Sequence, residues 1–310
     1  MSYLSEVLAF HASLLSDTAR LERFRRALQR VVRPGDVVLD VGAGVGILSV
    51  LACEAGASRV YAIEGSVPVG IIEMLAEANG MADRVHAIGG NSTAIELPEQ
   101  VDVVVADLFE LFGLEQGLVA AMADAARRFL REGGTVIPRA ISLYAAPVEA
   151  PGVHGARVGA WSREPLGMDV SPVRPLAANV LHAASHRSAD ELAAGERLAR
   201  VPLGADGPRH VGGAASFAIR RPGVLYGFDG WFVAELARGV TVSNAPGSRT
   251  TRYRHAFLPI DPPQLVAPGD EVELEVHAWD GEQWRWSGRA GERTFDHATL
   301  HALPIAALRR

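Results

Sequence analysis

The sequence predicts an α/β doubly wound parallel sheet with N-terminal helices, followed by an antiparallel β-barrel-like domain. Three observations predict it. From Val37 to Pro138 short apolar strands alternate with helical segments. Gly42, Gly44 and Gly46 sit where the first strand passes into a helix. Beyond Pro138 the alternation stops, and strands punctuated by Gly and Pro take over. At 310 residues the chain can bury more than one core.

Taken in order, residues 3–30 read as a helical preface. VVLDVG is the first strand, followed by the helix ILSVLACEAG, the strand RVYAIEG and the helix VGIIEMLAEANG. RVHAIGG and VDVVVADLF are the next strands, then comes an Ala-rich helix ending FLREGG, and TVIP closes the sheet. These strands are apolar on both faces, as a parallel sheet covered by helices requires. Beyond it, SLYAAPV, SFAIRR, GVLYGFDGWFVAEL, RHAFLPI and EVELEVHAW read as strands of an antiparallel barrel or sandwich. The expected units are residues 1–34, 35–138 and 139–310.

Composition excludes several classes. The start, MSYLSEVLAF, lacks the basic flank and cleavage site of a signal peptide, and no apolar stretch approaches a membrane span, so a cytoplasmic protein is expected. The formal charge of −6 argues against a broad nucleic-acid or anionic-membrane surface. The basic residues are all arginine, which points to a GC-rich, bacterial genome. The lone cysteine, Cys53, lies among apolar residues and reads as a packing residue.

The glycines carry the chemistry. Dinucleotide sites use G-x-G-x-x-G with the pyrophosphate on a helix N-terminus. Here the loop is G-x-G-x-G with Asp40 two residues before it, which suits a ligand without phosphate. S-adenosylmethionine, with an ammonium, a carboxylate and a sulfonium, is such a ligand. Glu64, beside Gly65 and Ser66, falls about twenty residues later at a strand end, where an acid can accept from both ribose hydroxyls. NAD would use that acid too, and the loop spacing separates the two.

The flanks add a resemblance. FHASLLSDTARLERFRRAL, GILS, GASRVYAIEGS, AIELP and REGGTVIPRAISLYAAPVE resemble the protein arginine methyltransferase family. WSREPLGMDVS, GWFVAEL, VSNAP and TTRYRHAFLPI follow in that family's order. The resemblance implies a Rossmann-like donor-binding sheet, a helical lid folded over it, a barrel completing the substrate groove, and a homodimer. Carried residue by residue, Arg20 matches the arginine that pairs with the donor's carboxylate, and His11 a histidine of the lid. Asp40 and Gly42 match the loop round the methionine end, and Glu64 the ribose acid. The acid near the adenine is matched by Thr93, with Asn91 and Ser92 adjacent.

The departures bear on the substrate. In that family a loop after the fourth strand carries two glutamates that grip a guanidinium. Here the loop reads ADLFELFGLEQG: Asp107 takes the first position and Gln116 the second, with Glu115 beside it and Glu110 earlier. The family's threonine-histidine-tryptophan loop is matched by Thr251, Arg252 and Tyr253. A guanidinium has a pKa above about 12, so it must be held as a cation and lose a proton only as the new bond forms. Two carboxylates suit that task better than one aspartate facing an added arginine.

The expected activity is therefore S-adenosylmethionine-dependent methyl transfer, releasing S-adenosylhomocysteine, to a small metabolite or modified peptide. Asp107, with Glu110 or Glu115, would orient the nucleophile, and Arg252 and Tyr253 would meet the substrate. An arginine methyltransferase with an altered acidic loop is the alternative, and a non-catalytic dimer partner a third. His182 with His186, and His297 with His301, have i, i+4 spacing that would put each pair on one helical face. No H-E-x-x-H or cysteine accompanies them, so they read as surface histidines and no metal is expected. AWDGEQWRW could stack a planar substrate, but reads more simply as barrel core or dimer contact.

Overall fold

The computed structural model describes residues 3–248, 253–281 and 283–301. Two helices open the chain, α1 (Tyr3–Ser16) and α2 (Thr18–Val31). Asp17 separates them because its carboxylate accepts the Arg20 N–H at 3.0 Å and caps α2. Helix α2 buries Arg20, Phe24, Ala27 and Leu28, one stripe at three- and four-residue spacing.

The next unit runs β1 (Val37–Val41), α3 (Ile47–Glu54), β2 (Arg59–Glu64), α4 (Val69–Ala78), β3 (Val85–Gly89), β4 (Val101–Ala106), α5 (Leu118–Arg128) and β5 (Leu130–Ile137). Its strands form one parallel sheet in the order β3-β2-β1-β4-β5. The chain steps outward from β1 to β3, then returns to the other side of β1, so the direction of winding reverses between β1 and β4. Ligands bind outside the carboxyl ends of strands at such a point. One expectation fails here. FLREGG does not end the helix: α5 stops at Arg128, and Leu130–Gly134 already belongs to β5. Gly133, at φ +75°, and Gly134 oppose helix continuation, and Arg131 instead pairs with Asp102 of β4.

The rest of the chain makes two antiparallel sheets. The strands are β6 (Ala140–Val148), β7 (His182–Ala184), β8 (Glu196–Pro202), β9 (His210–Ala218), β10 (Gly223–Ala237), β11 (Val240–Ser243), β12 (His255–Val266), β13 (Glu271–Trp279), β14 (Gln283–Ala290) and β15 (Arg293–Ala298). One sheet has the order β7-β12-β10-β6-β8, with β11 on β10, and the other β15-β14-β13-β9. They share an interior: Phe228 of β10 meets Phe217 of β9 at 5.7 Å and Phe295 of β15 at 5.8 Å between ring centres. The Trp286 indole N–H donates to the Pro259 carbonyl across the gap at 2.8 Å. Trp284 and Trp286 of AWDGEQWRW are thus core residues.

Between β6 and β7 the chain leaves the sheet as an arm holding α6 (Pro151–Arg157) and α7 (Arg174–Ala178). Arg174 anchors it through two hydrogen bonds to Asp261, of 2.8 and 2.6 Å. Among the described residues no helix is long and apolar enough to cross a membrane.

Candidate active site

The sheet register builds the site. Val41 pairs with Ile63 on one side and Ala106 on the other. The residues that follow on the three strands, Gly42, Glu64 and Asp107, therefore emerge side by side at the carboxyl edge. A cleft of about 190 Å³ lies over them, lined by His11, Arg20, Gly42, Gly44, Asp107 and Tyr253 among others. A second, of about 450 Å³, continues past Glu64 to Gly65, Asn91 and Ser92. Ser66 and Gln116 border both. The two form one trough along the winding reversal.

The loop must be bare where it passes under this trough. A Cβ on Gly42 would stand 2.6 Å from Leu108 Cδ2, and one on Gly44 2.6 Å from His11 Cε1, with φ at +70° and +57°. Gly46 sits apart, capping α3 and facing Ile72 of α4. Asp40 also lies outside the trough lining. It is buried beneath the loop, where it accepts the Ser49 hydroxyl at 2.7 Å while its Oδ1 has no partner. Burial, then the nearby charge of Glu64, push it up to about 7.

Glu64 shows the opposite balance. Burial works against its charge, but the Ser66 N–H and hydroxyl and the N–H groups of Gly44 and Val67 donate to it, at 2.6 to 3.2 Å. They hold it below the usual carboxylate range. Oε2 takes one of these bonds, from Gly44, which leaves it room for a further donor.

At the other end Arg20 and Asp107 form a buried ion pair, and a second guanidinium nitrogen of Arg20 donates to the Leu14 carbonyl at 2.8 Å. The Tyr253 hydroxyl donates to the second Asp107 oxygen at 2.6 Å. Asp107 is thus oriented by helix α2 on one side and by the segment leading into β12 on the other. Arg252, expected near it, lies outside the described residues.

The acidic loop departs from expectation. Gln116, not Glu115, borders the trough, and holds a left-handed φ of +62° that a non-glycine residue rarely adopts. Glu115 turns away because its Oε1 accepts the Phe112 N–H at 2.8 Å. Its Oε2 is shut in without a partner, and burial pushes the carboxyl up to about 7. Glu110 is exposed, 3.5 Å from the Gln116 amide. Thr93 likewise turns from the trough, its hydroxyl and N–H both donating to the Asn91 side chain, so Asn91 and Ser92 are the residues that border it.

One positioning residue went unassigned. Buried Asn244 donates to the carbonyls of Leu111 and Arg254 at 2.8 and 2.9 Å and accepts the Phe232 N–H. It ties the acidic loop to the barrel and to the segment carrying Tyr253. The stretch VSNAP that holds it was the available signal.

Comparison with known proteins agrees with this geometry. Residues 25–141 match the family described as ribosomal protein L11 methyltransferase (PrmA). Protein arginine N-methyltransferase 6 of Xenopus laevis is 29% identical over 286 residues, covering 86% of this chain and 80% of that protein. The chain is an S-adenosylmethionine-dependent methyltransferase similar to protein arginine methyltransferases. An arginine N(omega)-methyltransferase of Streptomyces achromogenes is 28% identical to the enzyme over 289 residues, covering 86% of this chain and 75% of the other. A chain of the Trypanosoma brucei PRMT1 enzyme-prozyme heterotetrameric complex with AdoHcy shares the enzyme's fold at a TM-score of 0.83 and 19% identity, covering 93% and 97% of the two chains. The trough suits the methyl donor: a bare glycine edge, an acid with an acceptor position to spare, and an arginine at one end.

Proposed function

We propose that the enzyme transfers the methyl group of S-adenosylmethionine to a guanidino nitrogen of arginine in a polypeptide. The observation that carries the reading is Asp107, a single carboxylate fixed by Arg20 and Tyr253 at the end of the donor trough. Beyond Gln116 lies a further hollow of about 380 Å³, bordered by Glu110, Glu115, Leu181 and Trp284, through which a long side chain can approach. A polypeptide acceptor is preferred to a small metabolite because several relatives that span most of the chain are named protein arginine N-methyltransferases, whereas the Streptomyces relative is named for arginine alone.

In this reading residues 1–34 are the lid, 35–138 the donor-binding unit and 139–310 the barrel. Glu64 would hold the ribose hydroxyls, Asn91 and Ser92 would border the adenine, and Arg20 would meet the donor's carboxylate beneath His11. The bound donor supplies a methyl group on a sulfonium. Asp107 accepts an N–H of the incoming guanidinium and orients it, and Gln116 offers an amide oxygen where a second carboxylate is absent. As the nitrogen's electron pair forms the C–N bond, the methyl–sulfur bond would break with its electron pair left on the sulfur of S-adenosylhomocysteine, and the nitrogen releases a proton, which Asp107 can take and pass to water.

A homodimer belongs to the same reading. The arm exposes Leu166, Met168 and Trp161, and the lid exposes Leu4, Leu8 and Leu15, so each copy can cover the other's apolar residues.

The test is transfer of labelled methyl to a glycine-arginine-rich peptide, with hydrolysis to identify methylarginine. Labelled peptidyl arginine, lost in Asp107→Asn, is the expected result. Label on free arginine alone would return the enzyme to small molecules, and label on oxygen or lysine would refute the assignment.

A further inference from the structure

A second polar cluster lies outside the trough. Asp229, in the middle of β10, is fully buried, and its two carboxylate oxygens are met by two imidazoles. Its Oδ1 is 2.8 Å from His186 Nδ1 and its Oδ2 2.7 Å from His255 Nδ1. The sheet makes this convergence. Asp229 pairs with Phe257, which puts it on the same face as Phe257 and, two residues back, His255. His255 pairs with Ala184 at the end of β7, and His186 follows two residues later. That face covers a small apolar cluster of Val148, Ala150, Ala184 and Phe257, separate from the main core.

We propose that His186, Asp229 and His255 form a binding site for a divalent transition ion of the zinc class. One candidate ligand atom from each lies within 4.8 Å of the others, and two imidazole nitrogens with one carboxylate oxygen are a donor set such ions favour. The ion would sit between the carboxylate and the two Nδ1 atoms that now contact it.

Charge supports the assignment. With both histidines neutral, a carboxylate stands in an apolar pocket with a net negative charge. Glu191 lies within its field, and burial and the Asp229 charge both raise the Glu191 carboxyl. The rival arrangement is a charge pair of His255 with Asp229, 2.7 Å apart, without metal.

The site would also bear on the trough. His255 opens β12 two residues after Tyr253, whose hydroxyl holds Asp107. An ion at His255 would fix the start of that strand.

The experiment uses tag-free full-length protein, stripped with chelator and dialysed against Zn²⁺ or Co²⁺. Mass spectrometry should find about one ion per chain, and the Co²⁺ form should show visible bands much stronger than those of the aqueous ion. His186→Ala and His255→Ala should each weaken Zn²⁺ binding about tenfold or more in competition with a fluorescent chelator. The paired surface residues His210 and His277, 2.9 Å apart, serve as control, and His210→Ala should bind as wild type does. If the cluster variants do not fold, the wild-type stoichiometry and Co²⁺ spectrum decide. Wild-type protein that retains no ion, Co²⁺ bands no stronger than the aqueous ion's, or binding lost in His210→Ala but kept in the cluster variants would each overturn the proposal and leave the charge pair.

Discussion

Replacing Glu115 by glutamine separates the two roles open to this residue. In the structure it is a half-buried acid at the edge of the hollow beyond Gln116: Oε1 accepts the Phe112 N–H, Oε2 is enclosed without a partner, and desolvation raises the carboxyl from 4.5 to about 7. Between those values the unfolded chain gives up the proton and the folded chain keeps it. The native state therefore binds more protons, and stability falls as pH rises through this window. At about 1.4 kcal/mol for each pH unit the loss reaches about 3 kcal/mol, an upper bound because the residue keeps a partly open edge. Glutamine cannot ionise, and its amide oxygen can take the same N–H. Urea denaturation should find Glu115→Gln close to wild type at pH 5 and more stable by up to about 3 kcal/mol at pH 8. Asp40, raised in the same direction, is present in both proteins and drops out of the difference. Methyl transfer should survive. A variant that is folded and inactive, or destabilised equally at both pH values, would refute the structural role.

Other outcomes follow from the trough. Glu64→Ala should weaken S-adenosylhomocysteine binding by roughly 1.5–3 kcal/mol in calorimetry, and NAD should give no heat with either protein. Tyr253→Phe removes one of the bonds orienting Asp107, and should lower kcat about tenfold with little change in donor affinity, as read by labelled methyl transfer. Gly44→Ala should cost about 1 kcal/mol of stability through its φ of +57° and weaken donor binding, which His11→Ala in the same chain should partly restore by thermal shift. Leu166→Glu with Met168→Glu should convert a dimer to monomer in light scattering, and an unchanged mass would remove the arm from the assembly.

Much of the trough was legible because its residues follow strands. In a parallel sheet the strand ends align, so an acid or glycine at or just after a strand's end needs only the strand's register to be placed. Gly42, Glu64 and Asp107 are such residues. Where a side chain turns was not legible. Glu115 and Gln116 are neighbours, and the sequence offers the carboxylate as the better catalyst. Which of them faces the trough depends on the Phe112 N–H and the left-handed turn at Gln116, both set by a loop that Asn244 ties to the barrel.

The histidines show the boundary most clearly. Their i, i+4 spacing has meaning only on a helix, but His182 lies in β7 and His186 in the segment beyond it, while His297 lies in β15. The partners of His186 are instead Asp229 and His255, 43 residues away and a further 26 along the chain. From sequence alone came the strand and helix rhythm, the glycine edge and the acid at the second strand, because each depends on backbone geometry over a few residues. Tertiary structure decided the orientation of the acidic loop and the cluster at Asp229. Both depend on which distant strands lie side by side, and no local pattern records that.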